Sequence, residues 1–373
     1  MKKNFPYWIS NIPGWRTNRK ICVFESDDWG SIRMPYDKAY KDLIKHNIIN
    51  PRNLTHYHIY DALESNEDLS SLFDIIHSFY DSNGNHPMFT GLNIIANPDF
   101  EKIRKSDFNE YYHEPFTKTL KRYPNHDKVY TLLLEGINNN LFIPQFHGRE
   151  HLNVSAWLKA LKKESSKTKV AFTYGITGIN PITINESSIQ FQAAFDFFNK
   201  NELANHKYII EEGTILFKKL MGYKPSYFVP PNGPFNHSLC PTLKQYGIDY
   251  LLLNKLQREP LGNSKYKTRI NWLGKKNQNN QIILTRNASF EPSAGGKDWV
   301  NSCLKNIEIA FSTKKPAIIS SHRVNYIGSL DSRNRTRNLK LLKTLLSKIL
   351  FYWPDVEFMS SVELGNIIRN SKN

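Results

Sequence analysis

The chain is expected to fold as an α/β protein around a largely parallel sheet or barrel, and three observations carry that expectation. Short apolar runs of strand length alternate with amphipathic stretches of helix length. Four of those runs pass directly into polar or Gly/Pro clusters, as strands do where loops gather at one end of a βα fold. No internal repeat and no Gly/Ser- or Pro-rich linker divides the sequence.

In chain order, the runs read as buried strands are KICVFES (20–26), MFTGLNIIA (88–96), LFIPQF (141–146), SYFV (226–229), YLLLN (250–254), QIILT (281–285), AIISS (317–321) and VEFM (356–359). Helical spacing is found over 69–80, 127–138, 155–163, 211–221, 298–311 and 339–350. Two stretches, 99–125 and 165–210, exceed what a crossover needs. They are read as insertions on a single domain spanning 1–373.

Of 373 residues, 40% are hydrophobic and 13% aromatic, which supports a sizeable core and excludes a disordered chain. The opening MKKNFPYWISNIPGWRTNRK is interrupted by Pro6, Asn11, Pro13 and Arg16, so no signal peptide is expected. No run approaches the roughly 18 apolar residues of a membrane helix. Cys22, Cys240 and Cys303 lie in no metal or redox spacing and fit buried thiols in a reducing cytoplasm. Fifty Lys and Arg against 34 Asp and Glu give a net charge of +16. That surplus suits an anionic partner such as a charged glycan, a lipid phosphate or a membrane surface, and equally a solvated surface. Nucleic acid is not expected, because no basic cluster forms a binding motif.

The four strand-end clusters carry the candidate chemistry. They are Asp27-Asp28-Trp29-Gly30, His147-Gly148-Arg149-Glu150-His151, Pro230-Pro231-Asn232-Gly233 and His322-Arg323. Two imidazoles four residues apart can sit on one side of a first helical turn and share a divalent ion; two unrelated histidines are the plainer reading. Where a strand ends and turns, both members of an Asp-Asp pair can enter one pocket, one ligating a metal and the other remaining a base. The plainer reading is a cap by Asp28 or Ser31. Together the clusters provide the His/His/carboxylate set of hydrolytic zinc, with a position open for water. His322 alone also fits a buried histidine bonded to Ser320 or Ser321.

Taken in order, Ser-Asp-Asp-Trp-Gly, His-Gly-Arg-Glu-His, Phe-Val-Pro-Pro-Asn-Gly and Ser-Ser-His resemble the successive motifs of the polysaccharide deacetylases, the chitooligosaccharide deacetylase homology domain. VEFMSSVEL resembles that family's closing strand and helix, so the resemblance covers about residues 20–368. It implies a distorted (β/α) barrel with fewer strands than a TIM barrel and the removal of N- or O-acetyl groups from sugars. It further implies Asp27 as base, Asp28, His147 and His151 as ligands of a divalent metal, zinc in the first place, and His322 as general acid. Trp29, Pro231, Asn232 and Arg286 are expected to contact substrate.

The third motif departs from the family, with Val229 and Asn232 where an Arg that orients the base and a Tyr stand. The Asn232 backbone N–H can still serve the oxyanion. Arg286, directly after a predicted strand, can replace the missing Arg or be an ordinary surface residue. The substrate implied is an acetylated sugar or glycan precursor, met in the cytoplasm, and the charge surplus suits an anionic one. The rival readings are a non-catalytic carbohydrate-binding relative and another metal-dependent glycan hydrolase. Arg333, Arg335 and Arg337, at a predicted helix start, are expected to grip a phosphate or carboxylate at the pocket rim; solvated arginines are the alternative.

Overall fold

The computed structural model describes residues 5–371. Its strands are β1 (Lys20–Trp29), β2 (Phe89–Ile94), β3 (Ala96–Pro98), β4 (His113–Pro115), β5 (Phe142–Gly148), β6 (Tyr227–Phe228) and β7 (Tyr250–Leu252), followed by β8 (Leu256–Gly262), β9 (Lys265–Ile270), β10 (Lys275–Lys276), β11 (Ile282–Leu284), β12 (Ala288–Ser289), β13 (Ala317–His322) and β14 (Val356–Phe358). Ten of them form one sheet in the order β10-β11-β7-β6-β5-β2-β1-β13-β12, with β14 also paired to β1. Every pairing is parallel except that of β10 with β11. The sheet curls into a half-barrel whose two ends share no ladder among the described residues. The expected α/β fold, a distorted barrel, is therefore present.

β1 runs through the middle of this sheet and is buried on both faces, which is why it reads as an unbroken apolar run. Cys22 and Phe24 face the covering helices, where Phe24 stacks on Phe89 with centroids 5.2 Å apart. Ile21 and Val23 face the other way, among Leu92, Tyr227, Tyr250, Ile318 and the closing helix Ser361–Asn370. The covering helices include Asn66–His77, Val129–Asn138, Glu202–Met221, Trp299–Ser312 and Ser332–Tyr352. The second and third lie against β5, and Gly213 explains how closely the third approaches. A Cβ there would stand 2.7 Å from the ring of Phe146.

The segments 99–125 and 165–210 meet each other beside the sheet. Phe100 and Phe108 pack on Phe172, with centroids 4.9 and 5.2 Å apart, over the buried Trp157, in a smaller core that the two segments share with residues 34–49 and 152–161. The hairpin β8–β9 was not among the expected strands. β9 is largely polar and exposed, and Gln257, Arg258 and Glu259 interrupt β8, so no apolar run marks the hairpin; Asn263 and Ser264, both at positive φ, make its turn. No helix among the described residues is long and apolar enough to cross a membrane.

Candidate functional site

The carboxyl ends of β1, β5, β6 and β13 open into one cavity of about 940 Å³. Asp27, Asp28, His147, His151, Asn232, Arg286 and His322 all line it.

The Asp-Asp pair reaches the cavity through a break in strand geometry. Glu25 and Asp27 share a face of β1, and regular alternation would turn Asp28 to the opposite face. Asp28 instead has φ +79°, and the pairing of β1 with β2 shifts register between Ser26 and Trp29. Gly30, at φ +79°, completes the turn; a Cβ there would stand 2.3 Å from the carbonyl oxygen of Ile94. The sequence Asp-Asp-Trp-Gly thus delivers two adjacent carboxylates to one pocket.

Asp28 Oδ1 lies 3.1 Å from His151 Nε2 and 3.5 Å from His147 Nε2. Ligand atoms of all three buried residues lie within 4.8 Å of one another. In a tetrahedral zinc site with bonds near 2.05 Å, neighbouring ligand atoms are about 3.3 Å apart, so these separations fit a metal centre. The outer contacts fit as well. His147 Nδ1 donates to the Val229 carbonyl at 2.8 Å, which turns Nε2 toward Asp28. Arg33 Nη2 donates to Asp28 Oδ2 at 3.3 Å, on the oxygen turned away from the histidines. Burial holds the His151 pKa below its ordinary value despite Asp28, favouring the neutral, ligating form. For Asp28, burial alone would raise the pKa. His151, His147 and Arg33 outweigh it and hold the carboxyl ionised.

Asp27 is gripped by Arg286. Arg286 Nη1 donates to Asp27 Oδ2 at 2.8 Å, Nη2 to Oδ1, and Nε to Glu25 Oε2 at 2.6 Å. Burial raises the Asp27 pKa, and the Arg286 charge and hydrogen bonds bring it net below the usual value. His322 Nε2 stands 3.8 Å from Asp27 Oδ2, while its Nδ1 donates to Glu291 Oε1 at 2.7 Å. Burial would depress the His322 pKa; the charge and hydrogen bond of Glu291, then Asp27, drive it up to about 10. The partner of His322 is thus Glu291, not Ser320 or Ser321. Asn232, at φ +59°, is exposed at the cavity wall, and its N–H donates to no acceptor among the described residues.

Two expected substrate contacts are corrected. Trp29 is 1% exposed and belongs to the core, where it stacks on Tyr326, meets Phe142 edge-on and donates from Nε1 to Ser26 Oγ at 2.9 Å. The register shift that turns Asp28 into the cavity sends the next side chain into the protein. Pro231 is buried, its ring where a Cβ on Gly148 would stand 3.4 Å away, and does not line the cavity; Pro230 and Asn232 on either side line it instead.

The arginine cluster is a third correction, for none of Arg333, Arg335 and Arg337 lines this cavity. Arg335 is buried and pairs with Glu67 and with Asp68, the latter at 2.7 Å. Arg333 pairs with Asp331 at 2.8 Å, and Arg337 donates to the Asn338 side chain at 3.0 Å.

Sequence reasoning missed Glu25, Arg33 and Glu291. Glu25 carried a readable signal, a charge inside an otherwise apolar strand. Glu291 carried none, since it follows the two-residue strand β12, which no apolar run announced. Behind the triad of Asp28, His147 and His151, Arg33 Nε lies 3.2 Å from Asp61, which also pairs with the fully buried Arg323 at 3.1 Å. Arg323 further binds Glu64 at 2.9 Å, and Glu64 accepts from the Gly30 N–H at 2.9 Å. The residue after His322 therefore supports the β1 turn instead of entering the cavity.

No family model and no curated protein matches the sequence. Solved structures similar to it include a protein of Mycobacterium smegmatis described as a polysaccharide deacetylase, at 10% identity and TM-score 0.45, covering 96% of this chain and 93% of that one. PuuE allantoinase is similar at 10% identity and TM-score 0.45, covering 94% and 91%. A CE4 family pseudoenzyme from Bacillus anthracis is similar at 9% identity and TM-score 0.36, covering 93% and 66%. At such identities and TM-scores these likenesses assign no chemistry to this chain, whose candidate site stands on its own residues.

Proposed function

We propose that the protein is a metal-dependent hydrolase that removes acetyl groups from a sugar or glycan. One observation carries the reading: a His/His/Asp triad with metal-ligand spacing shares a cavity with the Asp27 carboxylate and the His322 imidazole, 3.8 Å apart.

Asp28, His147 and His151 would hold the ion, with zinc the first choice for this donor set. Bound there, a divalent ion supplies Lewis acidity toward the acyl oxygen and lowers the pKa of its water to about 7. Asp27 takes the proton of the attacking water; each of its oxygens has two acceptor positions, so the grip of Arg286 leaves room for it. Arg286 fixes the carboxylate and keeps it ionised. The Asn232 N–H is available to the developing oxyanion. His322, charged at neutral pH, protonates the departing sugar amine or hydroxyl.

The test is acetate release from a panel of N- and O-acetylated sugars, with and without chelator. Release that stops with chelator and in Asp27→Asn supports the reading. A metal-loaded wild type that binds these sugars and releases no acetate overturns it in favour of a carbohydrate-binding relative.

A further inference from the structure

The cavity wall contains four cationic groups, and three are already matched by carboxylates. Arg33 lies beside Asp28 and Asp61, Arg286 beside Glu25 and Asp27, and His322 beside Glu291 and Asp27. Lys255 is the fourth and has no acidic partner among the described residues. Its ammonium donates to Ser10 Oγ at 3.0 Å and Asn11 Oδ1 at 2.9 Å, both neutral, which accounts for two of three donors.

A partly buried cation without a counter-charge is unfavourable unless something else supplies one. The burial shows in the Lys255 pKa, which falls to about 8. Lys315 makes the contrast. It too is pulled down to about 8 by burial, but its ammonium is filled by the carbonyls of Pro13, Gly14 and Trp15, and it lines no part of this cavity. Lys315 ties down the chain entering β1. Lys255 is left with a donor to spare, in the wall of the cavity that holds the candidate chemistry.

We propose that Lys255 receives an anionic group, a carboxylate or a phosphate, carried by the sugar that enters this cavity. The proposal rests on the deacetylase reading for the sugar and on the unmatched ammonium for the charge. It makes the substrate an acidic or phosphorylated acetylated saccharide rather than a neutral one. Lys255 and its neighbour Asn254 line the same cavity as Asn232 and Gly233, so the anion and the oxyanion donor would share one pocket.

The experiment measures binding of three probes to the metal-loaded protein at low ionic strength: N-acetylglucosamine, N-acetylglucosamine 1-phosphate and N-acetylmuramic acid. At least one anionic probe should bind about tenfold more tightly than the neutral sugar, a margin of the size a charge-assisted contact gives. Whichever anionic probe wins identifies phosphate or carboxylate as the source. Lys255→Gln should erase the margin with neutral-sugar affinity unchanged, and Lys255→Arg should keep it. In the wild type, the winning probe and not the neutral sugar should protect Lys255 from acetylation by a succinimidyl ester, read by mass spectrometry, so a poorly folding variant does not block the test. An unchanged margin in Lys255→Gln, equal protection by both sugars, or no preference for either anionic probe overturns the proposal. Because binding and acetate release are read separately, a preserved margin without acetate release would sink the deacetylase reading and leave Lys255 as the anion receptor.

Discussion

Arg286 holds Asp27 from across the sheet, with Nη1 on Asp27 Oδ2 at 2.8 Å, and reaches Glu25 on the same strand with Nε at 2.6 Å. One guanidinium thus compensates two buried carboxylates, one facing the cavity and one beneath it. Removing it uncovers both charges at once. Arg286→Gln should lower stability by about 3–5 kcal/mol, the usual consequence of stripping a buried ion pair of one partner, and should raise the Asp27 pKa. Chemical denaturation reads the first effect. A variant as stable as the wild type would show that the two carboxylates are solvated or neutral.

The metal triad predicts a division of labour within the Asp pair. Wild-type protein should carry about one divalent ion per chain. Asp28→Asn and His151→Ala should lose most of it, while Asp27→Asn should retain it and lose turnover. Elemental analysis of the purified proteins decides this. Metal loss in Asp27→Asn would make Asp27 a ligand.

Glu291 sets the proton on His322. The charge and hydrogen bond of Glu291 lift the His322 pKa to about 10 against the depressing effect of burial. A bound dication would act in the opposite direction and draw it toward neutrality. Glu291→Gln should lower the pKa further, so the basic limb of the kcat/KM profile should move to lower pH in that variant. The stability effect has a definite sign. A pKa raised in the folded state gives stabilisation that is complete below about 6.5 and is lost as pH rises toward about 10. Denaturation of wild type and Glu291→Gln across that window should converge at the alkaline end.

Trp29 should behave as core. Trp29→Ala should destabilise by about 3–5 kcal/mol, as large-to-small changes at buried aromatic positions do, while the KM of the folded fraction stays within about twofold of wild type. A large KM effect with unchanged stability would return Trp29 to the cavity.

The sequence alone was enough for the layout. Apolar runs such as ICVF, separated by helical spacing, can be satisfied only as buried parallel strands with crossovers, and all eight of those runs appear in the main sheet. The strand-end rule then placed Asp27, Asp28, His147, His151 and His322 together, because parallel strands carry their loops to one face. Side-chain direction was beyond it. Whether Asp28 or Trp29 enters the cavity depends on one positive φ and a register shift, beside the close approach of Gly30 to Ile94. The sequence offered Arg286 as the orienting partner of Asp27 beside a surface reading, and only the tertiary structure could choose between them; the pairs Glu291 with His322 and Arg335 with Asp68 were not legible at all. Such pairings join residues far apart in the chain, so local pattern carries no trace of them, and burial makes each partner obligatory. The same holds for Lys255, whose significance lies in lacking the carboxylate that the other cations of the cavity have.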